Sequence, residues 1–157
     1  MIQRIQSIFL ALAGISILLL FYIPLWTKAS PQGDQEATLY LWKFVHIKDG
    51  EAISRETIYY FVPLALASVA LSFGSLFSYT NRLKQIQLNA INSLILMVFT
   101  LWSVYHVVTN YEKLFLPEQR GHYYGFFVII AAMLFITLAN RFIRRDEKLV
   151  RSADRLR

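Results

Sequence analysis

Three histidines and a basic tail are the residues of this sequence whose types could do chemistry. His46, His106 and His122 could serve as metal ligands. His106 and His122 could also face one another as axial ligands of a b-type haem, because imidazole commonly fills that role between helices. Their spacing matches no metal-binding motif. His106 sits among Trp102, Tyr105 and Tyr111, the company of an interfacial side chain. The absence of Cys removes disulfides, thiolate metal sites and cysteine catalysis together. No P-loop, G-x-S-x-G, HExxH or dinucleotide fingerprint is present. Ser7, Asp146 and Asp154 have no partner pattern that would mark catalysis. The expectation is a protein that is not an enzyme, with no catalytic residues, cofactor or metal of its own.

The tail carries the strongest polar pattern. Seven of the 16 basic residues fall in the last 17 positions: Arg141, Arg144, Arg145, Lys148, Arg151, Arg155 and Arg157. Helical spacing places Phe142, Leu149, Ala153 and Leu156 near one stripe, and Glu147 and Arg151 form a favourable i,i+4 pair. Two readings stand side by side. The tail is a lipid anchor whose bases snorkel to anionic headgroups, or it is a helix that docks a protein partner. With Arg4, Arg82 and Lys84 on the same side, the candidate docking residues are Arg4, Arg82, Lys84, Arg141, Arg144, Arg145, Lys148, Leu149, Arg151, Arg155, Leu156 and Arg157.

The elements that must position these residues are apolar. The 157-residue chain is 56% hydrophobic with a mean hydropathy of +0.43. Only 17% of it is charged, below the roughly 25% usual for soluble domains. The charges avoid windows 5–26, 58–79, 88–109 and 123–140, each close to the roughly 20 apolar residues that cross a bilayer as a helix. The first window exceeds the about 7–15 residues of a signal-peptide core, so it reads as a helix kept in the protein. The expected fold is an all-α, polytopic membrane protein forming a single domain. Its four transmembrane helices, a four-helix bundle, fall at about 5–26, 58–79, 88–109 and 123–142, the last stopped by arginines.

Bases fix the orientation. The N-terminus, the turn 80–87 and the tail 143–157 with Arg141 before it together hold ten, and the remaining loops six. Both termini and the turn are therefore expected in the cytoplasm and the loop 28–57 outside. In that loop, residues 38–47 alternate and Asp49-Gly50 is a turn pair, so a small β-hairpin could lie over the outer surface. Ala67, Ala70, Gly74 and Ser78 form a small-residue stripe expected to let helices approach closely. Mid-membrane polar groups are the neutral hydroxyls of Ser16, Ser68, Ser72, Ser75, Ser93, Thr100 and Ser103. Ion-coupled transporters usually keep a charge at that depth, so these suit packing better than ion handling. The net charge of +6, concentrated beside a membrane helix, points to anionic lipid rather than nucleic acid.

Three segments carry a family likeness: Met1-Ile2-Gln3-Arg4-Ile5-Gln6-Ser7, Asn81-Arg82-Leu83-Lys84-Gln85-Ile86, and residues 146–157. With them the chain resembles a family of small four-helix inner-membrane proteins of unknown function from the Bacteroidota. The resemblance implies a bacterial cytoplasmic membrane and no particular activity. The expected function is a non-catalytic accessory or scaffold subunit that docks a membrane or cytoplasmic protein through its cytoplasmic face. The alternatives are a small oligomeric transporter or channel, and a redox subunit with haem or quinone near His106.

Overall fold

The stretch read as an external loop is a sheet. The computed structural model describes residues 3–31, 34–114 and 121–154. It places four strands, β1 (Trp26–Ala29), β2 (Gln35–Leu39), β3 (Lys43–Lys48) and β4 (Glu51–Thr57), in an antiparallel meander of order β1-β2-β3-β4. The expected Asp49-Gly50 turn joins β3 to β4, with φ of 52° and 82°, the twist that a two-residue type I′ hairpin demands. The helices are α1 (Gln3–Leu19), α2 (Phe61–Phe77), α3 (Arg82–His106) and α4 (Tyr124–Asp154). A π-helical turn, Val107–Tyr111, and a 3-10 turn, Glu112–Leu114, prolong α3.

The sheet belongs to the core. Trp26, Ala37, Leu39 and Phe44 of the strands are buried together with Leu41 of the β2–β3 turn, Leu20 and Leu25 of the segment joining α1 to β1, and Phe61, Phe99 and Ile129 of the helices. Burying a side chain the size of Leu39 or Phe44 contributes about 1.5–3 kcal/mol, so the strands hold the helical ends in place. Lys28, counted from sequence among the bases of an external loop, lies inside β1 at 2% exposure. The outer edge, β4, is exposed along almost its whole length, and Glu51, Arg55 and Glu56 guard it against pairing with another chain. At the opposite edge Thr27 N–H donates to the His122 carbonyl at 2.9 Å and receives the reciprocal bond at 2.7 Å. This pairing ties the approach to α4 to the sheet.

The helices pack round a closed circuit, α1 and α3 each lying against both α2 and α4. Phe9 stacks on Phe142 at 5.6 Å, while the exit from α1 meets the first turn of α4 through the Gly125 N–H to Pro24 carbonyl bond of 3.0 Å. All four helices therefore run between the sheet end and one opposite end, where α1 and α3 begin and α2 and α4 finish.

This corrects the all-α, four-span expectation. Among the described residues, only 82–114 and 124–148 form helices long and apolar enough to cross a membrane. The helices α1 and α2 have 17 residues each, about 25 Å at 1.5 Å per residue, short of the roughly 30 Å hydrocarbon core. The first helix stops at Leu19, and Trp26, expected at its outer end, is the first residue of β1. The last helix runs past its arginines to Asp154. Four helices combined with a four-stranded sheet make an α+β architecture rather than an all-helical bundle.

Candidate functional site at the basic end of the helices

The helical layer buries a polar seam beside its apolar core and exposes apolar side chains outward. Ser68, Ser72, Ser75, Asn89, Asn92 and Ser103 are fully buried, while Ile8, Leu94, Leu101, Phe127 and Leu134 are exposed. Only 28% and 33% of the apolar windows of the two long helices are buried, whereas the core helix of a soluble protein turns its apolar face inward.

The inner polar residues form a ladder. Gln85, Asn89 and Asn92 recur at four- and three-residue spacing, so they share one face of α3, opposite Ser75, Ser72 and Ser68 of α2. Ser68 Oγ donates to Asn92 Oδ1 at 2.6 Å, and Asn92 Nδ2 donates to Ser72 Oγ at 2.8 Å. Gln85 Nε2 donates to the Ser75 carbonyl at 2.9 Å. Asn89 Nδ2 crosses to Asn140 Oδ1 of α4 at 2.8 Å, leaving its own buried Oδ1 without a donor among the described residues. Ser75 Oγ donates across to the Gln85 carbonyl at 3.4 Å, and the remaining hydroxyls noted in the sequence bond back to their own helices, as Ser16 does to the Leu12 carbonyl at 2.8 Å and Ser103 to the Phe99 carbonyl at 2.8 Å.

This ladder displaces the small-residue stripe. Ala70 is exposed and a Cβ built on Gly74 meets nothing within 4 Å, so that face of α2 does not mediate close approach. Gly74→Leu is expected to shift stability in mild detergent by no more than about 0.5 kcal/mol, the range of surface substitutions. A thermal melt checks it.

At the basic end, Arg82 of α3 and Asp146 of α4 form an ion pair at 2.9 Å with side chains 26% and 14% exposed, though the contact is too poorly aligned for a hydrogen bond. Lys84 is exposed nearby; its backbone N–H is capped by Asn81 Oδ1 at 3.1 Å. Arg141, Arg144, Arg145 and Lys148 are all exposed, and with Thr137 and Asn140 they line a groove of about 610 Å³. Arg4 lies in the first turn of α1 at this same end, and Leu149 and Arg151 continue α4. Arg155, Leu156 and Arg157 lie outside the described residues. The structure thus gathers Arg82, Lys84 and the first four tail bases at one end. Sequence reasoning missed Asn89 and Asn140, and a signal existed in the spacing Gln85–Asn89–Asn92.

Two of the three histidines share a cavity: His46 and His106 line about 360 Å³ together with Glu56 and Asn110, and His122 is not among its lining residues. His106 Nε2 and Tyr60 Oη are 2.6 Å apart, and Asn110 Nδ2 lies 3.1 Å from His106 Nδ1 and 3.2 Å from the His106 carbonyl. The carbonyl can only accept, so Asn110 presents its NH2 group; Nδ1 then accepts and Nε2 carries the proton. Both ring nitrogens are engaged, and ligation of a metal would first have to break one of these bonds. Burial, and then the Glu56 carboxylate, raise the Tyr60 phenol above its ordinary pKa, which keeps it neutral. His122 instead pairs with Thr27 and stacks on Tyr124 at 5.5 Å. Among the described residues no group of three His, Cys, Asp or Glu is placed to hold a metal.

Compared with known proteins, the chain matches one family over nearly its whole length: the family described as Domain of unknown function (DUF4293) covers residues 2–156. No curated protein matches it.

Proposed function

We propose, on the premise that the chain belongs to the DUF4293 family, that it is a membrane-resident, non-catalytic accessory or scaffold subunit of a bacterial cytoplasmic-membrane complex. The apolar exterior and inner polar seam of the helical layer support membrane residence: exposed Leu101, Phe127 and Leu134 suit lipid, and the Ser–Asn ladder satisfies polar groups that lipid could not. In this reading α3 and α4 cross in opposite directions. The ten-to-six balance of bases places the basic end, with both termini, in the cytoplasm, and the sheet on the far side. The bacterial setting follows from the likeness of the N-terminal, turn and tail segments to Bacteroidota inner-membrane proteins.

The observation that carries the docking role is α4 itself. It runs unbroken from the apolar layer through eight residues beyond Asp146 to Asp154. Eight residues extend a helix by about 12 Å, so the basic tail is presented as a helical handle past the point where α3 begins.

The test is a full-length variant with residues 147–157 scrambled, which keeps every charge and the Arg82–Asp146 pair but breaks the apolar stripe. Both proteins are expected in the membrane pellet after alkaline carbonate, with only the wild type retaining its co-purifying protein. Retention of the same partner by the scrambled protein would overturn the docking role. Release of the wild type by carbonate would overturn membrane residence.

A further inference from the structure

We propose that the groove on α4 binds the phosphate of an anionic phospholipid headgroup. The inference rests on the membrane residence proposed above and assigns a ligand to one part of the basic end, distinct from the protein-docking tail beyond it.

Charge is the first argument. Arg141, Arg144, Arg145 and Lys148 stand three, four and seven residues apart, so they share one face of α4. Like charges at these spacings destabilise a helix, and acids nearby would be the ordinary remedy. Asp146 is spent on Arg82 across the α3–α4 seam. Neither Asp146 nor Glu147 lines the groove, and no ion pair among the described residues engages any of the four cations. The surface is complementary to an anion that no described residue supplies.

Shape and hydrogen bonding are the second. The groove, about 610 Å³, falls within the roughly 300–1,000 Å³ of small-molecule sites. Asn140 lies at its inner end and gives its Oδ1 to Asn89 at 2.8 Å, which leaves its NH2 group as a neutral donor. Thr137 Oγ1 donates to the Met133 carbonyl at 2.8 Å and so offers the groove only lone pairs. Guanidinium forks match phosphate oxygens in pairs. Asn140 is positioned by the fully buried Asn89, so one donor is fixed by the helical core instead of swinging on a long side chain.

Position is the third. The groove begins where the apolar part of α4 gives way to bases, the depth at which a phospholipid phosphate lies if α4 crosses the bilayer. All six lining residues belong to α4, and a cluster of bases at the cytoplasmic end of a membrane helix attracts anionic headgroups.

The experiment uses the full chain, delipidated in a neutral detergent, with thermal unfolding followed as phosphatidylglycerol or phosphatidylcholine is added. Phosphatidylglycerol is expected to raise the midpoint saturably and phosphatidylcholine to leave it unchanged. Arg144→Gln with Arg145→Gln should weaken the apparent affinity for phosphatidylglycerol at least tenfold. Arg4→Gln with Lys84→Gln removes the same charge from the same end of the bundle but from α1 and α3 instead of α4, and should weaken it less than threefold. Equal losses in the two double variants would mean diffuse charge and overturn the site. So would equal stabilisation by inorganic phosphate or glycerol 3-phosphate at matched concentration, or no response to phosphatidylglycerol in the wild type. None of these outcomes alters carbonate resistance, so the groove can fail while membrane residence stands.

Discussion

Asn92→Leu is expected to lower the stability of the protein in mild detergent by about 1–3 kcal/mol, read as a fall in the thermal midpoint. Asn92 is fully buried and joins α2 to α3 through two bonds, from Ser68 at 2.6 Å and to Ser72 at 2.8 Å. Leucine is close enough in size that a void is not the main loss. Interhelical bonds between polar side chains in membranes average about 0.6 kcal/mol and reach about 1.7, so two of them account for the expected range. The serines can recover by bonding to carbonyls of their own helix, which limits the upper end. Adding Ser68→Ala and Ser72→Ala to Asn92→Leu should therefore cost little more, because removing all partners leaves nothing polar unpaired. A triple variant whose loss equals the sum of the separate losses would show that the three side chains do not act as one network.

The same residues mark what could be read from the sequence. The four helices were legible as long runs that charges avoid, and so was the gathering of bases at one end. The turn at Asp49-Gly50 was legible because few residue pairs accept positive φ twice in succession. With it came the hairpin of β3 and β4, but not the rest of the sheet. Its first strand follows Pro24 so closely that Trp26 reads as the aromatic end of a helix. The burial of the third strand, residues 43–48, was not legible either, since Phe44 packs inward against Tyr111 at 3.9 Å while Val45 and Ile47 are only half buried.

On α2 the sequence offered two inward faces, one of small residues and one of serines. The asparagines of α3 decided between them: the Asn92 amide crosses to Ser72 of α2 and the Asn89 amide to Asn140 of α4, which sets the serine face of α2 against α3 and turns Gly74 outward. At the basic end the arginines looked like a stop, yet arginine is a good helix former and no Gly or Pro occurs between Gly125 and Arg157. The helix had no physical reason to end at residue 142.

Gly125→Ala gives the second large effect, and its sign is the test. Gly125 lies in the first turn of α4 with φ outside the positive range, so the backbone accepts alanine. Helix propensity alone would make the substitution stabilising by about 0.5–1 kcal/mol. Packing opposes it. A Cβ there would stand 2.7 Å from Leu25 Cα and 3.0 Å from both the Pro24 carbonyl oxygen and Leu25 Cδ2. Two of those atoms are backbone, so no rotamer change relieves the contact, and α4 must move off the segment that links α1 to β1. That movement strains the Gly125 to Pro24 hydrogen bond and the Thr27–His122 bridge, and it loosens Leu25 and Trp26, both fully buried. Overpacking of this kind typically costs about 1–3 kcal/mol, and the absence of a flexible neighbour puts Gly125→Ala toward the upper part of that range. The expected result is a lowered thermal midpoint for Gly125→Ala beside an unchanged one for the bulkier Gly74→Leu. A midpoint for Gly125→Ala at or above that of the wild type would mean that the start of α4 does not rest on Pro24 and Leu25, and that the sheet and helices are joined less closely than the packing of this core requires.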